Sequence, residues 1–383
     1  MFVSKIVFWA AILLFLSTWV LYVGFLYIIK IIFKSFSDKN LVCNHRLSVS
    51  FIVAAHNEED VIGKRIENLV SLDYPRDLME IIVGSDGSRD STNDVVRQLA
   101  LEDERIILLA FPNQEGRAYI HNWCISVAKG DIIIFTDAET EFDLGFVQEI
   151  MPNFLDTEVG CVSGRIFYKN QKDSSITEAA GIYWEYEELI RRLESDLGIL
   201  AFGTGAALAV RREVYEPIGP TEDVDRVTTL NARIKGYKVR YEPKAKAYDY
   251  IEADEKSAYN ARVRKTARAF RDVVCRLVKI NPVKEPGLFL AVFFHKTSRH
   301  LTPYYMIFFF VFNIFLLGEN GIYISIFVLQ LIFYCLAFLG FILEKRRLRL
   351  LPFYLPYNFV LLNVGRFSGV LKSIFGARVS TYT

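Results

Sequence analysis

The chain has 383 residues, 52% of them hydrophobic and 23% charged, with a formal net charge of +1; so neutral a balance gives no global support for nucleic-acid binding. Five scattered cysteines without a Cys-x-x-Cys pair argue against a disulfide framework or a zinc site. Charges are dense across residues 34–276, absent from 6–29 and, apart from Glu319, absent from 301–343. That distribution excludes an ordinary soluble enzyme and equally a pure membrane bundle.

In chain order, residues 6–29 form an uncharged helix of about 36 Å, enough to cross a hydrocarbon core of about 30 Å. The run is too long for a signal peptide and no small-x-small cleavage site follows it. Residues 1–33 are therefore expected to be a retained transmembrane helix. From residue 47, short apolar runs alternate with helical stretches. Strands are expected at 49–55, 80–84, 105–111 and 131–135, with helices at 90–101 and 120–128. This alternation implies an α/β domain over 45–276, with a mainly parallel, Rossmann-like sheet between helices. Region 277–300 reads as an interfacial helix, 301–343 as a transmembrane hairpin, and 350–372 as a further membrane or interfacial helix. Lys30, Lys34 and Lys39, then Lys296, Arg299 and His300, then Lys345, Arg346, Arg347 and Arg349 flank the apolar segments. By the positive-inside rule they predict a multi-pass protein of the plasma (inner) membrane with its α/β domain in the cytoplasm.

Ligands of such sheets bind at the carboxyl ends of strands. Three strands here run into acid-bearing turns, carrying Glu58, Asp86, and Asp137 with Glu139. Each acid alone is as well explained as a cap or turn former; three converging on one edge are harder to dismiss. Asp137 and Glu139, at i and i+2, suit a divalent ion whose other ligands are substrate phosphate oxygens and water. Glu222 and Asp223 precede a helical stretch at 225–234 and read either as a cap or as a catalytic carboxylate. The glycines of Phe202-Gly-Thr-Gly-Ala206 permit either a close approach to a sugar or a tight turn. His45, His121, His295 and His300 lack metal-ligand spacing, and Tyr183, Trp184 and Tyr186 fall with Glu185, Glu187 and Glu188 in a helix that reads either as the border of an acceptor groove or, preferably, as a half-buried helix near the membrane.

Val53-Ala-Ala-His-Asn-Glu-Glu59, Gly84-Ser-Asp-Gly-Ser-Arg-Asp-Ser-Thr92, Gly116-Arg117, Thr136-Asp-Ala-Glu-Thr140, Gly203-Thr-Gly-Ala-Ala207 and Thr221-Glu-Asp223 occur in that order. The set resembles the family 2 glycosyltransferases, inverting enzymes of GT-A fold, over roughly residues 47–276. The flanking helices resemble those of membrane enzymes of polysaccharide and glycolipid synthesis, such as hyaluronan and cellulose synthases. The resemblance implies that Ala55 and Glu58 lie around the uridine and ribose and that Asp86 contacts the uracil. It puts Arg117 where the family commonly has a lysine near the nucleotide. It implies Asp137 and Glu139 as ligands of Mg2+ or Mn2+, the second position commonly being aspartate, and Asp223 as the base. The Q-x-x-R-W motif of processive members is missing; the corresponding region is Ala261-Arg-Val-Arg-Lys-Thr-Ala-Arg-Ala-Phe270. There Arg264 and Arg268 either face the diphosphate or belong to a basic helix at the membrane surface.

The expected activity is transfer of a sugar from a nucleotide-sugar donor, UDP-linked, to a lipid-linked or membrane-proximal glycan. Transfer to polyprenyl phosphate is the enzymatic alternative. A non-catalytic subunit of a synthase complex ranks last, because the metal and base acids are all present.

Overall fold

The computed structural model describes residues 1–33, 47–346 and 348–376. Lys34, Lys39, Cys43, His45 and Arg347 fall outside the described residues. Helices α1 (Phe2–Leu16) and α2 (Tyr22–Ile32) are joined by a π-helical turn, Ser17–Leu21, into one run. The α/β domain begins with β1 (Val49–Ala55), α3 (Ile62–Val70), β2 (Met79–Asp86), α4 (Thr92–Glu102), β3 (Ile106–Phe111), α5 (Arg117–Val127) and β4 (Ile132–Thr136). Every residue of β1 is buried. Val49, Phe51, Val53 and Ala55 enter the core on one face of the sheet, Ile52 and Ala54 the core on the other. Burial on both faces is why this strand reads as a continuous apolar run rather than an alternation. Helix α3 covers the first face with Ile62, Ile66 and Leu69, spaced i, i+4, i+7.

The second half of the domain contains β5 (Glu141–Phe142), α6 (Phe146–Ile150), β6 (Val159–Tyr168), α7 (Ser175–Asp196), β7 (Leu208–Arg211), α8 (Val224–Ile234) and β8 (Lys238–Asp249). The sheet has eight strands among the described residues, ordered β3-β2-β1-β4-β7-β6-β8-β5. It is mainly parallel, with antiparallel pairings in its second half that make it mixed. The four expected strands are parallel to one another, but β7 is antiparallel to both β4 and β6, β8 is parallel to β6, and β5 closes antiparallel to β8. Along β6 and β8 the register jumps from Gly164–Glu242 to Arg165–Lys246. Pro243 falls in that bulge, where a residue without an N–H costs no ladder bond.

Helix α9 (Glu255–Leu277) starts at Asp254, whose side chain accepts the Ser257 N–H. Then α10 (Pro286–Leu290), a π-helical stretch Ala291–Thr297 and α11 (Ser298–Ile314) form one helical run that joins the expected interfacial segment to the first hairpin limb. Its polar turn is buried. His295 lies between Glu187 at 2.8 Å and Glu194 at 2.9 Å of α7, and Arg299 pairs with Glu187. Helix α12 (Gly321–Lys345) is capped by Asn320, and α13 (Leu351–Ile374) packs along α9 and α12. The α9–α13 approach is close: a Cβ on Gly369 would lie 2.7 Å from Thr266 Cβ and 2.8 Å from the Val263 carbonyl oxygen. Among the described residues two helical runs, Phe2–Ile32 and Gly321–Lys345, are long and apolar enough to cross a membrane.

Candidate active site

The pairings Ala55–Ser85 and Val53–Thr136 bring the carboxyl ends of β1, β2 and β4 to one level. The turns beyond them are interlocked. Asn57, at φ 55°, accepts the Arg89 N–H on Oδ1, and its own N–H donates to Ser88 Oγ. The Glu58 N–H donates to Thr92 Oγ1 at 2.8 Å. Ala55 is fully buried beneath these turns.

Asp86, at the end of β2, is fully buried. Its carboxylate accepts the Glu115 N–H at 2.6 Å and the Gly116 N–H at 2.9 Å. Gly116 has φ 99°, a left-handed conformation that favours glycine. Asp86 thus fixes the loop that enters α5, and Arg117 is the first residue of that helix. The Arg117 guanidinium pairs with Asp137, the first residue after β4. Apart from that ion pair, Asp137 Oδ1 is buried without a hydrogen-bond partner. The Glu58 carboxyl is pushed up to about 7, first by burial, then by the negative charges of Glu139 and Asp90.

Asp223 occupies the cap position of α8. Its main-chain oxygen accepts the Val227 N–H, but its side chain makes no cap bond. The carboxylate pairs instead with Arg226 and Arg268. Burial pushes its pKa up, yet the guanidinium groups of Arg226, Arg268 and Arg117 outweigh that and hold it below the usual carboxylate range. Glu222 has a different fate, accepting the Gly219 N–H at 2.8 Å and pairing with Arg276 at 2.7 Å. Arg268 also donates to the carbonyls of Thr221 and Glu222, at 3.3 and 3.4 Å. Arg264 is half-buried one turn earlier on α9.

Arg117 ties these parts together. It pairs with Asp137 and lies in the electrostatic field of Glu58, Asp223 and Arg268. Three participants were missed from the sequence. Arg226 carried a readable signal, its i+3 spacing from Asp223. Asp272 of α9, 3.7 Å from Arg226, and Asp249 at the end of β8 carried none. Burial raises Asp249, and the charge of Glu139 adds to it.

Among the described residues no group of three or more His, Cys, Asp or Glu side chains is placed to hold a metal ion. Asp137 and Glu139 as a pair fit an ion whose coordination the substrate completes, the preference of magnesium. The buried, otherwise unbonded Asp137 Oδ1 has the chemistry of such a ligand.

Residues 50–219 match the family model described as glycosyl transferase family 2. The chain is similar to the probable glycosyltransferase YdaM of Bacillus subtilis (strain 168), 26% identical over 328 residues, covering 77% of this chain and 72% of that protein. It is also similar to the beta-monoglucosyldiacylglycerol synthase of Nostoc sp. (strain PCC 7120), 28% identical over 48% of this chain and 41% of that one. With the poly-beta-1,6-N-acetyl-D-glucosamine synthase of Staphylococcus aureus (strain MSSA476) it shares 26% identity over 56% of this chain and 53% of that one. The chain thus spans about half the length of these last two relatives or less. The mannosyltransferase PcManGT of Pyrobaculum calidifontis, solved with GDP-Man and Mn2+, superposes with a TM-score of 0.74 at 17% identity, over 98% of this chain and 100% of that one. That likeness shows a GT-A-like fold. The family match runs from β1 past β7, so the stretch similar to glycosyl transferase family 2 includes the turns that carry Glu58, Asp86 and Asp137 and the start of α5 with Arg117.

Proposed function

We propose that this chain is a membrane-bound inverting glycosyltransferase using a nucleotide-sugar donor, UDP-linked, and a lipid-linked or membrane-proximal glycan acceptor. The observation that carries the reading is the position of Arg117, paired with Asp137 and within the field of Asp223. A donor diphosphate bound at Asp137 and Glu139 meets the Arg117 guanidinium, which stabilises phosphate charge. Asp137 and Glu139 would hold an Mg2+ or Mn2+ ion, which would supply Lewis-acid stabilisation of the leaving diphosphate.

Asp223 is the base. Its guanidinium neighbours keep it ionised at neutral pH, so it is always available as a proton acceptor. The acceptor hydroxyl becomes acidic only as its oxygen bonds to the anomeric carbon, and Asp223 takes the proton at that stage. Asp86 acts by holding the loop in front of Arg117, since both carboxylate oxygens are already engaged by backbone amides. Arg264 and Arg268 add positive charge on the diphosphate side, Arg268 also orienting Asp223.

We further propose that Phe2–Ile32, α11 and Gly321–Lys345 span the membrane, α11 and α12 as a hairpin, and that the α/β domain faces the cytoplasm. Lys5 pairs with Glu319 at one end of the bundle, while Lys30 pairs with Asp196 of α7 at the other. The amino terminus and the 315–320 turn thus share one side, and the transferase domain takes the opposite one.

Incubating the purified full chain with a panel of UDP- and GDP-sugars in the presence of Mn2+ tests the reading. The expected result is release of nucleoside diphosphate from one UDP-sugar, increased by membrane lipid extract. Release from no nucleotide sugar, with or without the extract, contradicts it.

A further inference from the structure

Positive charge accumulates at a second place, where the Phe2–Ile32 run, α7, α9, α11 and α13 meet. Arg366 of α13 is 2% exposed. It donates one hydrogen bond, to Asn363 Oδ1 at 3.1 Å, and its guanidinium lies over the rings of Trp19 at 5.5 Å and Tyr183 at 5.7 Å. Arg262 of α9 lies over the Tyr183 ring at 5.5 Å. Among the described residues neither arginine has a carboxylate within ion-pair distance, and each lies in the field of the other. Glu187, the nearest acid of α7, is taken by His295, Lys296 and Arg299. Both ring nitrogens of His300 are buried nearby without a hydrogen-bond partner. A buried guanidinium without a counter-charge is costly, and its planar fork of donors matches a phosphate group.

Beside this cluster a cleft opens between α7, α9 and α13. It holds about 450 Å³ counting its open mouth, and Tyr183, Arg262 and Lys265 share its wall with the apolar Ile176, Ala180 and Leu362. Leu362 and Arg366 are one turn apart on α13, so the apolar wall continues into the cationic end. At its other rim Lys265 pairs with Glu252 at 3.0 Å, and both act on Asp249, which also feels Glu139. Lys265 lies three residues before Arg268 on α9, and Arg268 pairs with Asp223, so this rim is one helical turn from the partner of the proposed base.

We propose that this cleft is the acceptor site of the same reaction and that it holds the phosphate or diphosphate of a lipid-linked acceptor, Arg262 and Arg366 pairing the phosphate and the Ile176–Ala180–Leu362 wall receiving the first carbons of the lipid. The proposal rests on the glycosyl-transfer reading above. It also explains why Arg262, in the cleft wall, and Arg366, against the same Tyr183 ring, have no ion-pair partner among the described residues, the wall acid Glu252 being paired with Lys265.

The test is equilibrium binding of farnesyl phosphate to the full chain in phosphatidylcholine nanodiscs. Farnesyl phosphate is expected to bind at least tenfold more tightly than farnesol or inorganic phosphate. Arg262→Gln and Arg366→Gln are each expected to weaken it at least tenfold, with partial recovery in Arg262→Lys. If Arg366→Gln does not fold, the half-buried Arg262 decides, with UDP affinity as its folding control. Equal binding of farnesol, equal binding of inorganic phosphate, or unaltered affinity in Arg262→Gln overturns the proposal. Displacement by phosphatidylglycerol at equal concentration also overturns it, identifying the site as one for bilayer lipid. Donor turnover is measured on the same preparation. Turnover without farnesyl phosphate binding defeats this inference and leaves the transferase reading standing; binding without turnover on any donor keeps the site and defeats that reading.

Discussion

Glu222 and Asp223 are adjacent and equally acidic, yet the fold gives them different work. Glu222 is bound to the Gly219 N–H and to Arg276, whereas Asp223 faces Arg226 and Arg268 with its side chain free of any cap bond. Consequently Asp223→Asn is expected to lower turnover by about 10²–10⁴, the usual cost of lost base catalysis, while UDP affinity changes little. Glu222→Gln should keep turnover and lose about 1 kcal/mol of stability with its ion pair. Steady-state rates, UDP binding and thermal melts of the two variants check this; a dead Glu222→Gln beside an active Asp223→Asn reverses the assignment. Single residues were legible from the sequence where their role is local. Asp137 and Glu139 announce themselves at a strand end. Asp86 was legible as a site acid, but not as the anchor of Arg117, because its partners lie 29 and 30 residues away in a turn that only the tertiary structure brings near.

Among the elements, α9 does most to complete the site, and it was the least readable part of it. The sequence shows a basic helix; the structure shows that Arg268 reaches Asp223 while Asp272 shares Arg226 with it. Burial pushes Asp272 up to about 7 against its ordinary value of 3.8, with the charges of Asp223 and Glu222 adding to the effect and Arg226 opposing it. The folded protein therefore holds this proton up to about pH 7, while the unfolded chain releases it near 4. The stabilisation is complete below about pH 4 and is lost as pH rises through 7. Asp272→Asn removes that loss. Relative to wild type it is expected to gain on the order of 4 kcal/mol between pH 4 and pH 8, read from chemical denaturation at the two values. An unchanged difference between the two proteins across this range contradicts the assignment. Strands β1, β2 and β4 were legible because both their faces are buried. Strand β8 was not, since Lys238, Arg240, Glu242, Lys244 and Lys246 alternate with its buried residues and a proline interrupts it at the bulge. Without β7 and β5 the antiparallel pairings that make the sheet mixed are missed.

At the scale of the whole molecule, the N-terminal helical run is pinned at both ends, to the α11–α12 turn through Lys5 and Glu319 and to the transferase domain through Lys30 and Asp196. With Cys43, Cys275 and Cys335 replaced by serine, a cysteine at Asn320 is expected to be labelled by an impermeant reagent from outside the cell, and one at Lys172 only after permeabilisation. The reverse pattern contradicts the cytoplasmic position of the domain, and with it access to cytoplasmic nucleotide sugars.

The central claim is that Asp137 and Glu139 hold the donor diphosphate through a divalent ion in front of Arg117. The measurement that tests it most directly is nucleotide-sugar turnover and UDP affinity of wild type and Asp137→Asn, titrated with Mn2+ after complete chelation. The expected result is that wild type is inactive in chelator and recovers as Mn2+ is added, with UDP binding tightening in parallel. In Asp137→Asn, Mn2+ should restore neither. Wild-type turnover at full rate in excess chelator, or Mn2+-tightened UDP binding in Asp137→Asn equal to that of wild type, contradicts the account.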